Sequence, residues 1–182
     1  VYKRQALNDP ELDAYIDAMS DDGRDLLERL AGFGKLGIPG NMDAWDGYPA
    51  ARRRFYETAK NAGARDLLVL TGDTHIFWAN ALFDDDGESM GVELGTTAVT
   101  SPRGYGVLGD DAAGRFDELV ATHNQSVLWS DGSRRGYIHL ALGREAATAD
   151  FKVVTDIESR SYQVQTVRRA TIVHRDGSLA YA

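Results

Sequence analysis

The sequence predicts an α/β protein, of the α+β kind. Three observations carry that prediction. A helical stretch near 50–62 runs through a short link into the apolar run Leu67-Leu68-Val69-Leu70, which stops abruptly at Thr71-Gly72-Asp73-Thr74-His75. Segments from 134 onward alternate apolar and polar residues, which is the period of half-buried strands. Two further stretches, 8–19 and 109–124, place apolar residues at helical spacing. A helix, a short loop, a strand and then a polar loop at the strand's carboxyl end is the α/β arrangement, and ligands gather at that end.

Taken in order, residues 8–19 read as a helix capped by Asn8 or Asp9, with Pro10 in its first turn and Leu12, Tyr15, Ile16 and Met19 on one face. A second helix is expected at Asp21–Leu30, with Leu26, Leu27 and Leu30 inward. Residues 31–48 are too rich in glycine for regular structure. Pro49 opens the next helix, with Phe55, Ala59 and Ala62 expected inward and Gly63 as its stop. Its Arg52-Arg53-Arg54 triplet reads as a solvated face. After the strand at Leu67–Leu70, residues 76–83 read as a strand or an extended-to-helical segment. They are closed by Asp84-Asp85-Asp86-Gly87, a solvated hairpin turn that lacks the alternation of a calcium loop. Gly91–Thr100 is strand-like, and 101–106 is a loop. Residues 109–124 form a helix with Phe116, Leu119 and Val120 inward. The stretches 134–142 and 148–157 read as an antiparallel pair, and 163–173 as a further strand before the turn at Arg175–Ser178.

Composition excludes several functions. At 182 residues and 43% apolar, the chain is long enough for one domain with a core, and no repeat or second-domain boundary interrupts residues 1–182. A net charge of -8 argues against a nucleic-acid-binding surface, which needs a basic face, and against docking on anionic lipid. An anionic substrate would need locally placed cations. Without cysteine there is no disulfide framework and no thiolate metal site. No apolar run approaches the length of a membrane span. No signal peptide is visible, and the chain opens at Val1 without an initiator Met, so it reads as a processed product or a piece of a longer protein.

The chemistry concentrates in the Gly-Asp-x-His loop. Asp73 and His75 are two apart, so extended backbone would point them to one side. A carboxylate and a neutral imidazole converging on a point suit a hydrolytic metal site. The same residues also fit a capping aspartate and an ordinary loop histidine. A second candidate is the long loop Asn41-Met42-Asp43-Ala44-Trp45-Asp46-Gly47-Tyr48. Loops of this kind are disproportionately functional, although Trp45 and Tyr48 also suit the role of core plugs. No Gly-x-Ser-x-Gly elbow, phosphate-binding loop or Rossmann fingerprint occurs. His139 and His174 lie in strand patterns, and His123 ends a helix, where it could cap that helix or enter the site.

Several of these motifs together resemble the carboxyl-terminal part of the PhoD-type alkaline phosphatase/phosphodiesterase family. The resemblance rests on 41–48 followed by an arginine-bearing helix, on Leu68–His75 with Trp78, on Val92–Pro102, and on His123-Asn124, Trp129-Ser130-Asp131 and Arg134-Arg135-Gly136-Tyr137. It implies the carboxyl-terminal half of a four-layer αββα metallophosphatase sandwich and hydrolysis of phosphate mono- and diesters at metal ions, Fe3+ and Ca2+. It implies Asp73 and His75 as metal-site and catalytic residues, with Asp46, Trp45 and Tyr48 framing the site. It also implies a periplasmic or secreted protein. The family's amino-terminal half, with most of its ligands and a cysteine, has no counterpart here. The isolated chain is therefore expected to be inactive, its missing half being its first partner beside the phosphate ester. Two rivals remain: a non-catalytic fragment or binding module whose open sheet edge is covered by a partner chain, and another metal-dependent hydrolase such as a nuclease.

Overall fold

The computed structural model describes residues 20–36, 39 and 41–182. The helix expected at 8–19 lies outside them. The described α-helices are α1 (Asp21–Lys35), α2 (Pro49–Asn61) and α3 (Asp110–His123). The strands are β1 (Leu67–Thr71), β2 (Phe77–Phe83), β3 (Ser89–Gly95), β4 (Val127–Asp131), β5 (Gly136–Leu142), β6 (Ala146–Val154), β7 (Val164–Arg175) and β8 (Ser178–Tyr181).

They form two four-stranded sheets, ordered β1-β3-β2-β4 and β5-β6-β7-β8. Only β1 and β3 pair in parallel, with Leu67 opposite Gly91 and Thr71 opposite Gly95; every other described pairing is antiparallel. Gly91 makes the parallel register possible. Its φ is +131°, and a Cβ there would stand 2.0 Å from the Leu67 carbonyl oxygen.

Strand periodicity assigns the faces of the first sheet. Ile76 and Trp78 join the cluster beneath α3, whereas Phe77 and Ala79 join the cluster between the sheets. The inter-sheet core packs Phe77, Ala79, Val92 and Leu94 against Ala149, Phe151, Ala170 and Ile172. Phe77 meets Phe151 edge-on at 5.5 Å between ring centroids, and Trp129 meets Phe151 at 4.8 Å. Such contacts add about 0.5–1.5 kcal/mol each beyond the burial itself. On the other face, Ala113, Phe116, Leu119 and Val120 of α3 pack with Ile76, Tyr105, Leu108 and Val127, and with Leu27 of α1. The described residues thus stack helix on sheet on sheet, part of the four-layer arrangement expected.

At β8 the two sheets are also tied by polar contacts. The Tyr181 hydroxyl donates to the Glu93 carbonyl at 2.9 Å, and the Ser178 hydroxyl to the Arg65 carbonyl at 2.6 Å. Strand β1 lies at the rim of its sheet. None of its residues is fully buried, and Leu70 is 63% exposed.

Several expectations are corrected. The inward residue of α2 is Tyr56, 7% exposed, and Phe55 faces out at 42%. The cause is electrostatic. The face bearing Arg52, Tyr56 and Lys60 meets the hairpin turn between β2 and β3, where Arg52 and Arg53 bind Asp85 at 3.0 and 2.8 Å. Lys60 binds Asp84 at 2.6 Å and Glu88 at 2.7 Å. Neither the arginine triplet nor the acidic turn is therefore merely solvated. Strand β3 ends at Gly95 rather than Thr100, because Thr97 turns away to donate to loop carbonyls. Strands β4 and β8 were not foreseen.

Candidate metal centre

Strand β1 ends at Thr71, and the chain then turns sharply. The Thr74 N–H donates to the Gly72 carbonyl at 2.8 Å, closing a three-residue turn about Asp73, whose φ is +70°. Such γ-turns are rare and strained. His75 follows with φ +56°, so two non-glycine residues in succession but one occupy the left-handed region. The extended backbone from which a common direction for both side chains was expected is therefore not what the loop adopts. Strain of roughly 1–3 kcal/mol per residue persists only where the surroundings over-determine the conformation.

The surroundings do so here. The His75 carbonyl accepts from the Thr97 hydroxyl at 2.9 Å and from the Gly104 N–H at 3.2 Å. The Trp78 indole N–H holds the Thr74 hydroxyl at 3.0 Å. Gly104 allows the 101–104 loop to close in, since a Cβ there would lie 2.3 Å from the Ile76 side chain and 2.8 Å from the Thr74 carbonyl.

His75 is oriented by one contact. Its Nδ1 lies 2.8 Å from the Pro102 carbonyl oxygen. A carbonyl can only accept, so Nδ1 carries the proton. In the neutral ring Nε2 then presents a lone pair. A backbone carbonyl fixing one ring nitrogen is the arrangement that frees the other for a metal. Asp73 is exposed, and no hydrogen bond or ion pair engages its carboxylate among the described residues. A carboxylate oxygen and an imidazole nitrogen are donor types that a metal site uses. They do not complete it: among the described residues no group of three or more His, Asp or Glu is placed to hold a metal ion.

The other expected site residues lie elsewhere. The Asp46 carboxylate is 3.5 Å from Arg52, which in turn binds Asp85. Trp45 packs on Phe55 at 5.7 Å between centroids and remains 48% exposed, and Tyr48 is 53% exposed at the start of α2. Asp85 sits in the turn joining Phe83 to Ser89, one end of the first sheet, whereas Thr71, Gly95 and Trp78 mark the other. The structure therefore does not bring Trp45, Asp46 and Tyr48 beside Asp73 and His75. Their place follows from the salt links of α2 to the hairpin turn, which the sequence pattern did not reveal. His139 and His174 are exposed strand residues, as expected.

Three arginines to which the sequence reading gave no site role gather at the Asp73–His75 end. Thr97 joins the loops there, its hydroxyl lying 2.9 Å from the His75 carbonyl and 3.1 Å from that of Arg134. Arg103 binds Asp110 and donates to the Ser133 carbonyl at 3.0 Å. Arg134 binds Asp131 at 2.5 Å. The Arg135 Nε donates to the Ser101 carbonyl at 2.8 Å, one residue before the carbonyl that holds His75. The adjacent pair in the turn before β5 was the available signal.

Comparison with known proteins agrees with this layout. The sequence model of the PhoD-like phosphatase family matches residues 9–151. Alkaline phosphatase D of Bacillus subtilis (strain 168) is 30% identical over 139 residues, which cover 74% of this chain and 22% of that protein. A solved structure described as that of PhoD superposes with a TM-score of 0.63 at 24% identity, covering 78% of this chain and 27% of its own; it shows the fold. The chain thus spans about a quarter of the length of the relatives it matches. With the match running through the strained Gly-Asp-x-His loop and across both sheets, the chain belongs to the PhoD-like phosphatase family.

Proposed function

We propose that this chain is the carboxyl-terminal part of a metal-dependent hydrolase of phosphate mono- and diesters, and that Asp73 and His75 hold one side of its metal centre. The observation that carries the reading is the His75 Nδ1 contact to the Pro102 carbonyl, which leaves Nε2 as a donor to a cation. Bound metal, by resemblance iron and calcium, would polarise the phosphoryl group and supply a nucleophile near neutral pH. His75 acts as a ligand in this scheme. A cation on Nε2 would leave no place there for the proton that a leaving alkoxide needs. Asp73 brings negative charge and a hard oxygen donor, held ready by the γ-turn. The metal ions would add to the local positive potential that an anionic ester needs on a chain of net charge -8.

Two donors do not hold a metal tightly, since such sites use about four or more. The remaining ligands come from the rest of a longer protein, secreted or periplasmic as its family resemblance implies. The 182-residue chain alone is accordingly inactive toward a chromogenic phosphodiester with added iron and calcium. In a polypeptide that supplies the rest of the domain, Asp73→Asn and His75→Ala each lower turnover by about 100-fold or more, and elemental analysis shows less bound metal. Unchanged metal content and turnover in both variants would place the centre elsewhere.

A further inference from the structure

An open cleft of about 550 Å³ lies where Arg103 and the turn before β5 meet the end of β6, lined in part by Arg103, Ser133, Arg134, Arg135, Val154 and Asp156. Its size is that of a small-ligand site. Its charges are unequally engaged. Asp110 takes Arg103, Asp131 takes Arg134, and Asp156 accepts the N–H groups of Glu158 and Ser159 at 2.8 and 3.3 Å. Exposed Glu158 also lines the cleft. Among the described residues Arg135 has no carboxylate partner. Its Nε donates to the Ser101 carbonyl, which leaves the two terminal nitrogens of the guanidinium as a fork of donors for an anion. Arg135 and His75 hang from successive carbonyls, those of Ser101 and Pro102, so the loop that orients the proposed metal ligand also orients this cation.

We propose that Arg135 is a substrate-positioning residue whose guanidinium binds, in two-pronged fashion, a tetrahedral oxyanion carried by the substrate beside the phosphoryl group held at the metal centre. The inference rests on the phosphoesterase reading for the identity of the substrate, but the cation itself needs no metal. A planar fork matches two oxygens of a phosphate, and a lysine at this position would not reproduce the match. In a protein of this net charge, a cation without a carboxylate partner next to the site gives an anionic ester a second point of attachment and fixes its orientation.

The test separates the two ideas. The metal-free 182-residue chain is titrated with inorganic phosphate while the arginine side-chain Nε–H signals are followed by NMR. The Arg135 signal moves saturably. Arg135→Gln weakens binding about tenfold or more, and Arg135→Lys weakens it less. Should Arg135→Gln lose its folded amide spectrum, Arg135→Lys decides. In the metal-loaded longer enzyme, Arg135→Gln raises KM for an ester bearing a second anionic group and leaves kcat near that of the parent. Phosphate that shifts no Arg135 signal, or binds the Gln variant as well as the parent, overturns the role of Arg135 and leaves the metal centre standing. Absence of phosphoesterase activity in the longer enzyme with Arg135 binding intact overturns the reaction and leaves the anion site.

Discussion

Replacing Asp117 by Asn tests the polar joint between α3 and the first sheet. Asp117 is 7% exposed, and its carboxylate accepts the Ser130 hydroxyl at 2.6 Å and the Gly132 N–H at 2.8 Å. Burial pushes its pKa up from 3.8 to about 6, with repulsion from Asp131 added; the two hydrogen bonds and Arg134 work against the rise. A shift of about two units is worth roughly 3 kcal/mol. The sign follows from linkage. The folded pKa is raised, so the stability contributed by the protonated carboxyl is whole below about pH 4 and is lost as pH rises through about 6. Asn cannot ionise, yet its oxygen can accept from Gly132 and its amide can donate to Ser130. Relative to the parent, Asp117→Asn should therefore gain up to about 3 kcal/mol between pH 4 and pH 8. Urea unfolding followed by tryptophan fluorescence at the two pH values measures this. Asp117→Ala leaves both donors without an acceptor and should lose about 2 kcal/mol near pH 4, a loss that the same linkage offsets toward pH 8. A parent-to-Asn difference that does not change with pH would refute the assignment of a strained, buried acid at this joint.

Two further substitutions probe the first sheet. Gly91→Ala puts a methyl group 2.0 Å from the Leu67 carbonyl oxygen at a φ of +131°, so β1 must part from β3; a loss of about 3 kcal/mol or more is expected, with faster hydrogen exchange at Val69 and Thr71, whose backbone groups face β3. Lys60→Met removes the charged contacts to Asp84 and Glu88 and should lower the urea midpoint at pH 7. The Asp84 carboxylate is opposed by burial but held below the usual range by Lys60 and by the N–H groups of Glu88 and Asp86. Its contribution is therefore present above the unfolded pKa and lost as pH falls through the folded one, so parent and Lys60→Met should converge in acid.

The helices and most strands were legible because their signals are local. Pro49 and Gly63 bracket α2, the 3.6 period of Phe116, Leu119 and Val120 marks α3, and alternation marks β5 to β7. What escaped was decided by contacts between distant parts of the chain. The face of α2 follows cations at 52, 53 and 60 toward acids at 84, 85 and 88, which no helical period contains. The short β4 and β8 exist through pairing with β2 and β7, so a window over Val127–Asp131 or Ser178–Tyr181 carries little. Asp73 and His75 stand out by residue type and spacing, but the γ-turn that replaces extended backbone carries no such signal. The displacement of Trp45, Asp46 and Tyr48 to the opposite end of the sheet depends on the same ion pairs that turned α2.

The exposed rim strand has a consequence for handling the protein. Leu67 to Leu70 is a wholly apolar strand whose outward row of backbone donors and acceptors meets no other strand among the described residues. Arg65 and Asp66 stand as charged gatekeepers at its start, and its far end runs into uncharged Thr71 and Gly72. Copies produced alone can therefore template one another by edge-on stacking, and colloidal stability becomes a matter of concentration rather than of the unfolding free energy. Turbidity that grows with protein concentration at temperatures well below the melting transition would be its laboratory signature.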